Sequence, residues 1–383
     1  MVTSPIANAK KKILICFGTR PEAIKLIPVV QECTAHPGFE VKVCVTSQHR
    51  QMLDQVLELF DITPHYDLDL MTPQQTLPKL TGAVIVSMSE VLAQERPDCI
   101  VVQGDTTTTF AAALAAYYQR ISVAHVEAGL RTCQKFAPFP EEMNRRMTAC
   151  LTDWHFAPTT RARKALLKEG ISAERIFTVG NTVIDALLAV LEKARANDAI
   201  IHKRLPMINH DRRMLLITGH RRENFGQGFL NICHAIRCLA KANPELEIVY
   251  PVHLNPNVQG PVRAMLSELA NVHLLLPQDY LMFVWLLDHC DIVLTDSGGV
   301  QEEAPSMGKP VLVMRETTER PEAVEAGVAR LVGTDTATII QEVQRLLDDE
   351  DAYKAMSQVQ NPYGDGTSSR QIAEILERVI GVP

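Results

Sequence analysis

The chain has 383 residues, which is too long for one typical hydrophobic core and suits two domains of about 150–200 residues each. Hydrophobic residues make up 46% and charged residues 22%, an ordinary globular balance that argues against intrinsic disorder. The net charge of −7 is spread along the chain without a basic block, which argues against a protein that binds nucleic acid or an anionic membrane.

Short apolar runs alternate with longer helical patterns through the first half of the chain, which is typical of a parallel sheet with helices on both faces. Six predicted strands share this pattern, at 12–17, 41–46, 98–103, 122–126, 154–157 and 175–179. The predicted helices of this half lie at 23–36, 50–60, 77–96, 108–119, 141–151 and 160–169.

A second series of strands follows a polar helical stretch. These predicted strands lie at 214–218, 247–251, 272–275, 291–295 and 310–313. Two doubly wound series predict an α/β protein of two Rossmann-like domains that face a cleft, with ligands beyond the carboxyl ends of the strands. We expect an N-terminal domain at 1–178, a C-terminal domain at 179–366, and an amphipathic helix at 367–383 that packs back on the first domain.

The cysteines and the N-terminal segment bear on where the protein works. Nine cysteines occur singly, without a CxxC pair, and several lie in apolar strand-like runs, where Cys behaves as a small hydrophobe. We therefore expect reduced thiols in a reducing cytosol. No apolar segment precedes the first strand or approaches the length of a membrane span, so we predict a cytoplasmic protein.

The loop after the first predicted strand, Gly18-Thr19-Arg20-Pro21-Glu22, is a candidate anion site. Arg20 stands at the mouth of a helix, whose N-terminus also attracts anions, and Lys25 lies one turn inside it. Pro21 suits a first helical position. The alternative is an ordinary helix start with a solvated Arg20.

Three more loops of the first half bring carboxylates to one edge of the predicted sheet. Asp105 and Glu127 each follow a strand, and Glu141 opens a helix. Convergent carboxylates push their pKa values apart, which separates an acid from a base. A helix cap is the alternative for Asp105, and an ion pair with Arg131 is the alternative for Glu127. Glu141 and its neighbour Glu142 also complement a helix dipole without any function.

In the second half, Ser297-Gly298-Gly299 follows a strand and opens a helix, so its amides form an anion cradle suited to a diphosphate. Glu302 or Glu303, one turn further on, can accept hydrogen bonds from ribose hydroxyls. The loop at 219–224 also follows a predicted strand of the second half, the one at 214–218.

Four further side chains of the second half could contact a nucleotide. Gln278 and Phe283 could form a base-binding wall, although spacing alone favours Phe283 as a core residue. Arg315 and Arg320 supply cations for phosphate. No spacing of His, Cys or acidic residues predicts a metal site, and no GxSxG or GK[ST] motif predicts a serine hydrolase or an NTPase. We expect neither a metal nor another cofactor.

Nine segments of the chain, taken in this order, resemble those of non-hydrolysing bacterial UDP-N-acetylglucosamine 2-epimerases. They are FGTRPEAIK, GDTTTTF, HVEAGLR, FPEEMNRR, GHRREN, YPVHLNP, TDSGGVQEEAPS, KPVLVMRETTERPEA and NPYGDG. The resemblance implies a GT-B architecture, a homodimer and an isomerase. It implies reversible conversion of UDP-GlcNAc to UDP-ManNAc by anti elimination of UDP through 2-acetamidoglucal, which supplies ManNAc for cell-surface polysaccharide such as capsule.

The same resemblance implies roles for residues that match the family motifs. Asp105, Glu127 and Glu141 would be the acid and base groups, with the assignment among them open. The proposed diphosphate ligands are Arg20, Lys25, His220, Arg320 and the amides of Ser297, Gly298 and Gly299, and His220 also stands among the catalytic residues. Gln278 and Phe283 would contact uracil, and Glu303 would contact ribose.

Members of this family can bind a second UDP-GlcNAc as an allosteric activator. Gln48, Gln51, Arg221 and His253 match positions associated with that site. This chain carries Gln74 where some relatives place an arginine, which removes one cation that would face phosphate.

Three rival functions remain open at this level. A GT-B glycosyltransferase would share the nucleotide site but would need an acceptor. A hydrolysing epimerase would release free UDP in proportion to product. A sugar-nucleotide sensor would bind UDP-GlcNAc without turnover, although the three intact carboxylates argue against it.

Overall fold

The computed structural model describes residues 10–46, 50–72, 75–209 and 211–381, and the chain divides into two compact units. The first unit consists of Met1–Ala186 with Tyr363–Pro383, and the second of Leu187–Pro362. None of the helices described is both long enough and apolar enough to cross a bilayer.

The first unit contains a seven-stranded sheet in which every pairing is parallel. Its strands are β1 (Lys11–Phe17), β2 (Phe39–Val45), β3 (Tyr66–Asp67), β4 (Cys99–Gln103), β5 (Ser122–Val126), β6 (Trp154–Ala157) and β7 (Ile176–Thr178). The helices that begin in this unit are α1 (Arg20–Ala35), α2 (Arg50–Leu59), α3 (Leu77–Glu95), α4 (Thr107–Tyr118), α5 (Glu141–Leu151), α6 (Thr160–Lys168) and α7 (Thr182–Ala196).

The second unit contains a six-stranded parallel sheet. Its strands are β8 (Met214–Thr218), β9 (Glu247–Pro251), β10 (Val272–Leu275), β11 (Ile292–Thr295), β12 (Val311–Val313) and β13 (Ala329–Leu331). Its helices are α8 (Asp198–Arg204), α9 (Gln227–Ala242), α10 (Pro256–Leu266), α11 (Tyr280–His289), α12 (Gly298–Glu303), α13 (Pro321–Glu325), α14 (Thr336–Asp348) and α15 (Glu350–Ser357). The last helix of the chain, α16 (Ser368–Gly381), belongs to the first unit.

Both sheets have the doubly wound strand order. The first runs β3-β2-β1-β4-β5-β6-β7 and the second runs β10-β9-β8-β11-β12-β13. The order reverses between β1 and β4 in the first sheet and between β8 and β11 in the second. Ligands of such sheets bind beyond the carboxyl ends of the strands at this switch point. The loops that leave these four strands are therefore the candidate sites.

Burial explains why the central strands form where they do. Ile13–Phe17 of β1 and Leu215–Ile217 of β8 are buried on both faces, which a strand tolerates only as a continuous apolar run. The core of the second unit gathers around Phe229, Tyr250 and Leu294, with α9 and α14 packed together on one face. Two edge strands, β3 and β13, were not predicted, and α1 begins three residues earlier than the sequence pattern indicated.

Candidate active site

Glu127 lies at the carboxyl end of β5 in a left-handed conformation, with φ 62°, and is buried. One carboxylate oxygen contacts Lys25 Nζ and accepts from Asn181 Nδ2 at 3.2 Å, and the other accepts from Gln103 Nε2. Because N–H donors from three separate elements surround it, this carboxylate is firmly oriented. Arg131 instead donates to both carboxylate oxygens of Glu169, at 2.8 and 2.7 Å, so the alternative ion pair between Glu127 and Arg131 is wrong.

Asp105 follows β4, on the neighbouring strand of the same sheet edge. Its Oδ2 lies 2.7 Å from the Arg145 guanidinium, and its backbone carbonyl accepts from Asn144 Nδ2 at 2.9 Å. Burial raises the pKa of Asp105, the Arg145 charge opposes that rise, and the nearby Glu127 and Glu141 charges add to it. Asp105 is therefore close enough to both other carboxylates to interact electrostatically with them.

The adjacent residues Glu141 and Glu142 have different environments at the start of α5. Glu142 is fully buried, accepts from the backbone N–H groups of Thr132 and Cys133 at 3.1 and 3.2 Å, and lies 3.6 Å from Arg145. These contacts explain Glu142 as a structural residue that holds the preceding loop. Glu141 is only partly buried. It remains the candidate of the two for contact with a ligand.

The loop after β1 is organised by Glu22, which is almost completely buried. Its carboxylate accepts from the backbone N–H groups of Gly18 and Thr19 at 3.0 and 2.8 Å, and from Thr106 Oγ1 at 2.6 Å. Burial raises the pKa of Glu22, and these hydrogen bonds oppose that rise. Arg20 occupies the first position of α1, and Lys25 contacts Glu127 from the same helix.

Two buried histidines lie side by side on β5 and β6 beneath these loops. His125 and His155 are paired in register, and burial lowers their pKa values to about 4 and about 3. Both rings are therefore neutral near pH 7. His125 Nε2 lies 2.7 Å from the carbonyl oxygen of Gly104, next to Asp105, so His125 helps to shape this loop.

In the second unit, Asp296 joins the loops that follow β8 and β11. It is fully buried, and its Oδ2 accepts from the backbone N–H groups of His220 and Arg221 at 2.9 and 2.8 Å. Asn224 Nδ2 donates to the same oxygen at 3.3 Å. The loop 219–224 is thus held against the start of the Ser297-Gly298-Gly299 segment.

Cations surround this segment. A side chain added at Gly298 would lie 3.8 Å from Arg221 Nη2 and 3.9 Å from Arg320 Cζ. Arg320 also pairs with the buried Glu302, while Glu303 accepts from Tyr280 Oη at 2.9 Å. The arrangement brings two guanidinium groups and the amides of one helix start to one place, which suits an anion.

His220 borders the same place and stacks on His253, with ring centroids 5.2 Å apart. Burial lowers the pKa of His220, while the Asp296 carboxylate, 3.5 Å from Nδ1, opposes that change. His220 is consequently biased toward the neutral form near pH 7.

Three other predicted site residues of the second unit are Gln278, Phe283 and Arg315. Gln278 donates to the carbonyl of Leu276 at 2.6 Å, and Phe283 is partly buried on α11. Arg315 is buried and pairs with Glu223, with Nε 2.6 Å from a carboxylate oxygen. Its charge is therefore matched by a neighbouring acid.

Some predicted positions lie outside the described residues. These are Gln48 and Gln74, and the side chain of Gln51 is likewise not described. Within the described ranges, no group of three or more His, Cys, Asp or Glu residues could hold a metal ion.

Sequence reasoning did not single out several residues that build these sites. They are Glu22, Gln103, Asn181, Arg145 and Asp296. The position directly after a strand was a usable signal for Asp296, and the end of a strand for Gln103. Asn181 comes after β7 at the same sheet edge, so the same signal applies to it.

The fold and the switch-point loops define the class of GT-B-like α/β enzymes, with two doubly wound parallel sheets. The model of the family described as UDP-N-acetylglucosamine 2-epimerase matches residues 31–377. A UDP-N-acetylglucosamine 2-epimerase of Salmonella typhimurium is 56% identical over 369 residues, which cover 96% of this chain and 98% of that protein.

Two solved structures are also similar to this chain. A UDP-GlcNAc 2-epimerase from Neisseria meningitidis, bound to UDP-GlcNAc, has a TM-score of 0.90 and 51% identity, covering 96% of this chain and all of that one (100%). The Methanocaldococcus jannaschii enzyme, in complex with UDP-GlcNAc and UDP, has a TM-score of 0.80 and 34% identity, covering 96% and 99%. The chain belongs to the non-hydrolysing bacterial UDP-N-acetylglucosamine 2-epimerase family, and the predictions of its family, fold class and isomerase activity are confirmed.

Proposed function

We propose that the chain interconverts UDP-GlcNAc and UDP-ManNAc by inverting the configuration at C2. The observation that carries this proposal is the convergence of Asp105, Glu127 and Glu141 in the first unit. Asp105 and Glu127 follow the paired strands β4 and β5, and Glu141 opens α5, whose Arg145 lies 2.7 Å from Asp105. The names of the relatives, and the UDP-GlcNAc bound in two of the similar structures, support the choice of substrate.

The proposed reaction proceeds by elimination and re-addition, because the C2 proton is not readily acidic. A base removes the C2 proton while the C1–O bond to UDP breaks, which gives 2-acetamidoglucal and UDP. An acid then protonates C2 on the opposite face, and UDP adds back at C1. Glu127, surrounded by N–H donors, and Asp105, with its raised pKa, have unequal environments, which is what distinct acid and base roles require.

The departing diphosphate carries the developing negative charge, so catalysis also needs fixed donors around it. In the second unit these would be His220, Arg320 and the amides of Ser297, Gly298 and Gly299. Gln278 and Phe283 would contact uracil, and Glu303 would contact ribose. Arg20 and Lys25 would supply positive charge from the first unit.

The direct test incubates the protein with UDP-GlcNAc alone in deuterium oxide and follows proton spectra. We expect UDP-ManNAc with deuterium at C2, without an acceptor and without accumulation of free UDP. Asp105→Asn and Glu127→Gln should bind UDP and lose most of the turnover. Asp98→Asn is the matched control, because Asp98 lies before the amino end of β4 and accepts from Lys12 N at 2.8 Å. The proposal is refuted if C2 does not exchange in protein that binds UDP.

We further propose a homodimer in the cytoplasm that supplies ManNAc for cell-surface polysaccharide such as capsule. Val86, Tyr117 and Tyr118 support the dimer, because these large apolar side chains are 60–65% exposed on the packed helices α3 and α4. All nine cysteines are free thiols, which is consistent with a reducing compartment. Light scattering on the purified protein measures its molar mass. The mass of a monomer would refute the proposed dimer.

We also propose that a second UDP-GlcNAc acts as an activator, with Gln48, Gln51, Arg221 and His253 as candidate ligands. The exposed His253 ring against His220 and the guanidinium of Arg221 beside Gly298 support this choice. The test starts the reaction from UDP-ManNAc alone. Activation predicts a lag that added UDP-GlcNAc abolishes, whereas immediate full turnover would exclude the requirement.

A further inference from the structure

We propose that Glu22 is a positioning residue of the epimerase reaction. Its carboxylate links the loop after β1 to the loop after β4 and so fixes the position of Asp105 relative to Arg20. The proposal rests on the function proposed above for Asp105. Glu22 itself is buried and would not contact the substrate.

The contacts of Glu22 come from two elements that are far apart in sequence. One carboxylate oxygen accepts from Gly18 N, Thr19 N and Thr19 Oγ1, at 3.0, 2.8 and 2.8 Å. The other oxygen accepts from Thr106 Oγ1 at 2.6 Å, across a separation of 84 residues. Thr19 directly precedes Arg20 and Thr106 directly follows Asp105, so one carboxylate fixes the neighbours of both.

The hydroxyl of Thr106 is the decisive donor on the β4 side. Thr109 Oγ1 also lies 3.2 Å from Glu22, but its single proton has a closer acceptor in the carbonyl of Gln103, at 2.6 Å. Thr106 Oγ1 in turn accepts from Thr109 N at 3.1 Å, which leaves its own proton for Glu22. The link between the two loops therefore depends on one hydroxyl.

Capping of α1 does not account for this arrangement. A glutamate at the third helical position satisfies a capping box through Thr19 alone. The bond to Thr106 belongs to a different loop, and it crosses the switch point where β1 and β4 are adjacent. The second sheet has an equivalent link between two loops, since Asp296, after β11, accepts from backbone N–H groups of the loop after β8.

The experiment compares three variants of the full chain at a temperature where all are folded. Thr106→Val removes the hydroxyl while keeping the shape of the side chain, and Thr106→Ser keeps the hydroxyl. Thr108→Val is the control for loss of a buried hydroxyl in the same segment, because Thr108 lies two residues after Thr106, at the second position of α4, and its hydroxyl pairs with Thr46 at 2.8 Å, not with Glu22. Turnover of UDP-GlcNAc, KM and UDP affinity are measured for each.

We expect Thr106→Val to lower kcat by about tenfold, since a displacement of about 1 Å at a reacting group costs up to about a hundredfold. UDP affinity should stay at the wild-type value, because Gly18 N, Thr19 N and Thr19 Oγ1 still hold Glu22 beside Arg20 in Thr106→Val, and the proposed diphosphate ligands of the second unit are untouched. Thr106→Ser should recover kcat to within about twofold of wild type, and Thr108→Val should keep the wild-type kcat.

Each other outcome overturns a different statement. If wild-type protein does not interconvert the two sugar nucleotides, the proposed function fails and the role of Glu22 fails with it. If wild type is active and Thr106→Val matches Thr108→Val in kcat, the proposed function stands and the positioning role is refuted. A loss in Thr106→Val that Thr106→Ser does not recover also refutes it, because the hydroxyl would then not be the cause.

Discussion

Replacing Asp296 by alanine should loosen the loop 219–224 and weaken UDP binding together. The carboxylate is fully buried and is the acceptor for His220 N, Arg221 N and Asn224 Nδ2. Alanine removes the acceptor and leaves the donors in place. This loop places His220 and Arg221 beside the Ser297-Gly298-Gly299 segment. Loosening the loop should therefore lower both the stability of the protein and its affinity for UDP.

The magnitude follows from the number of donors left without an acceptor. A buried donor without a partner costs about 1–3 kcal/mol. His220 and Arg221 are partly exposed and Asn224 donates over 3.3 Å, so the lower end of that range applies to each. We therefore expect Asp296→Ala to lower the free energy of unfolding by about 3 kcal/mol. Asp296→Asn keeps one carbonyl oxygen and should lose about 1 kcal/mol.

Two measurements check this prediction, namely urea unfolding and hydrogen exchange of the His220 and Arg221 amides. Exchange should accelerate strongly in Asp296→Ala, with a parallel loss of UDP affinity in calorimetry. Asp335→Ala is the control, because Asp335 caps α14 in the same unit and accepts from Thr338 N at 2.8 Å. It should leave exchange in the loop unchanged. Wild-type protection of both amides in Asp296→Ala would refute the reasoning.

Two further predictions concern the first unit. A thiol reagent applied to native protein should label the exposed Cys133 and Cys150 first, whereas Cys33, whose pKa burial raises to about 12, should react only after unfolding, as mass spectrometry can show. Arg145→Gln removes the cation that lowers the pKa of Asp105, so that pKa should rise further. If ionised Asp105 is required, the acidic limb of the pH–rate profile moves to higher pH, and an unmoved limb would exclude Asp105 as the group titrating there.

The central strands could be predicted from sequence because a parallel strand buried on both faces reads as an unbroken apolar run. The two missed strands lie at sheet edges and contain two and three residues, Tyr66–Asp67 and Ala329–Leu331. Length alone does not explain these misses, because β12 also has three residues and was predicted from its apolar sequence, Val311–Val313. The missed segments each contain a charged residue, Asp67 or Arg330, and so lack a continuous apolar run. Their pairing depends on the neighbouring strand rather than on their own composition.

The strand-end loops were also accessible to sequence reasoning, but the partners of their side chains were not. Glu127 and Arg131 have a spacing that suits a helical ion pair, yet the backbone between them turns through positive φ at Glu127 and Gly129. Glu22 was not singled out from sequence, and its partner Thr106 is distant in the chain, at a separation of 84 residues. Only the adjacency of β1 and β4 brings these two residues together.

The last helix has a consequence for how the chain acquires its structure during synthesis. Ile372 and Leu376 of α16 are buried in the first unit, where this helix packs on α1, and Ser369 N donates to Asp185 at 2.7 Å. The ribosome delivers these residues only after it has made every residue of the second unit. Earlier domains usually fold first during translation. Here the later unit can finish its core while the earlier one still presents an uncovered apolar face to the nascent-chain environment.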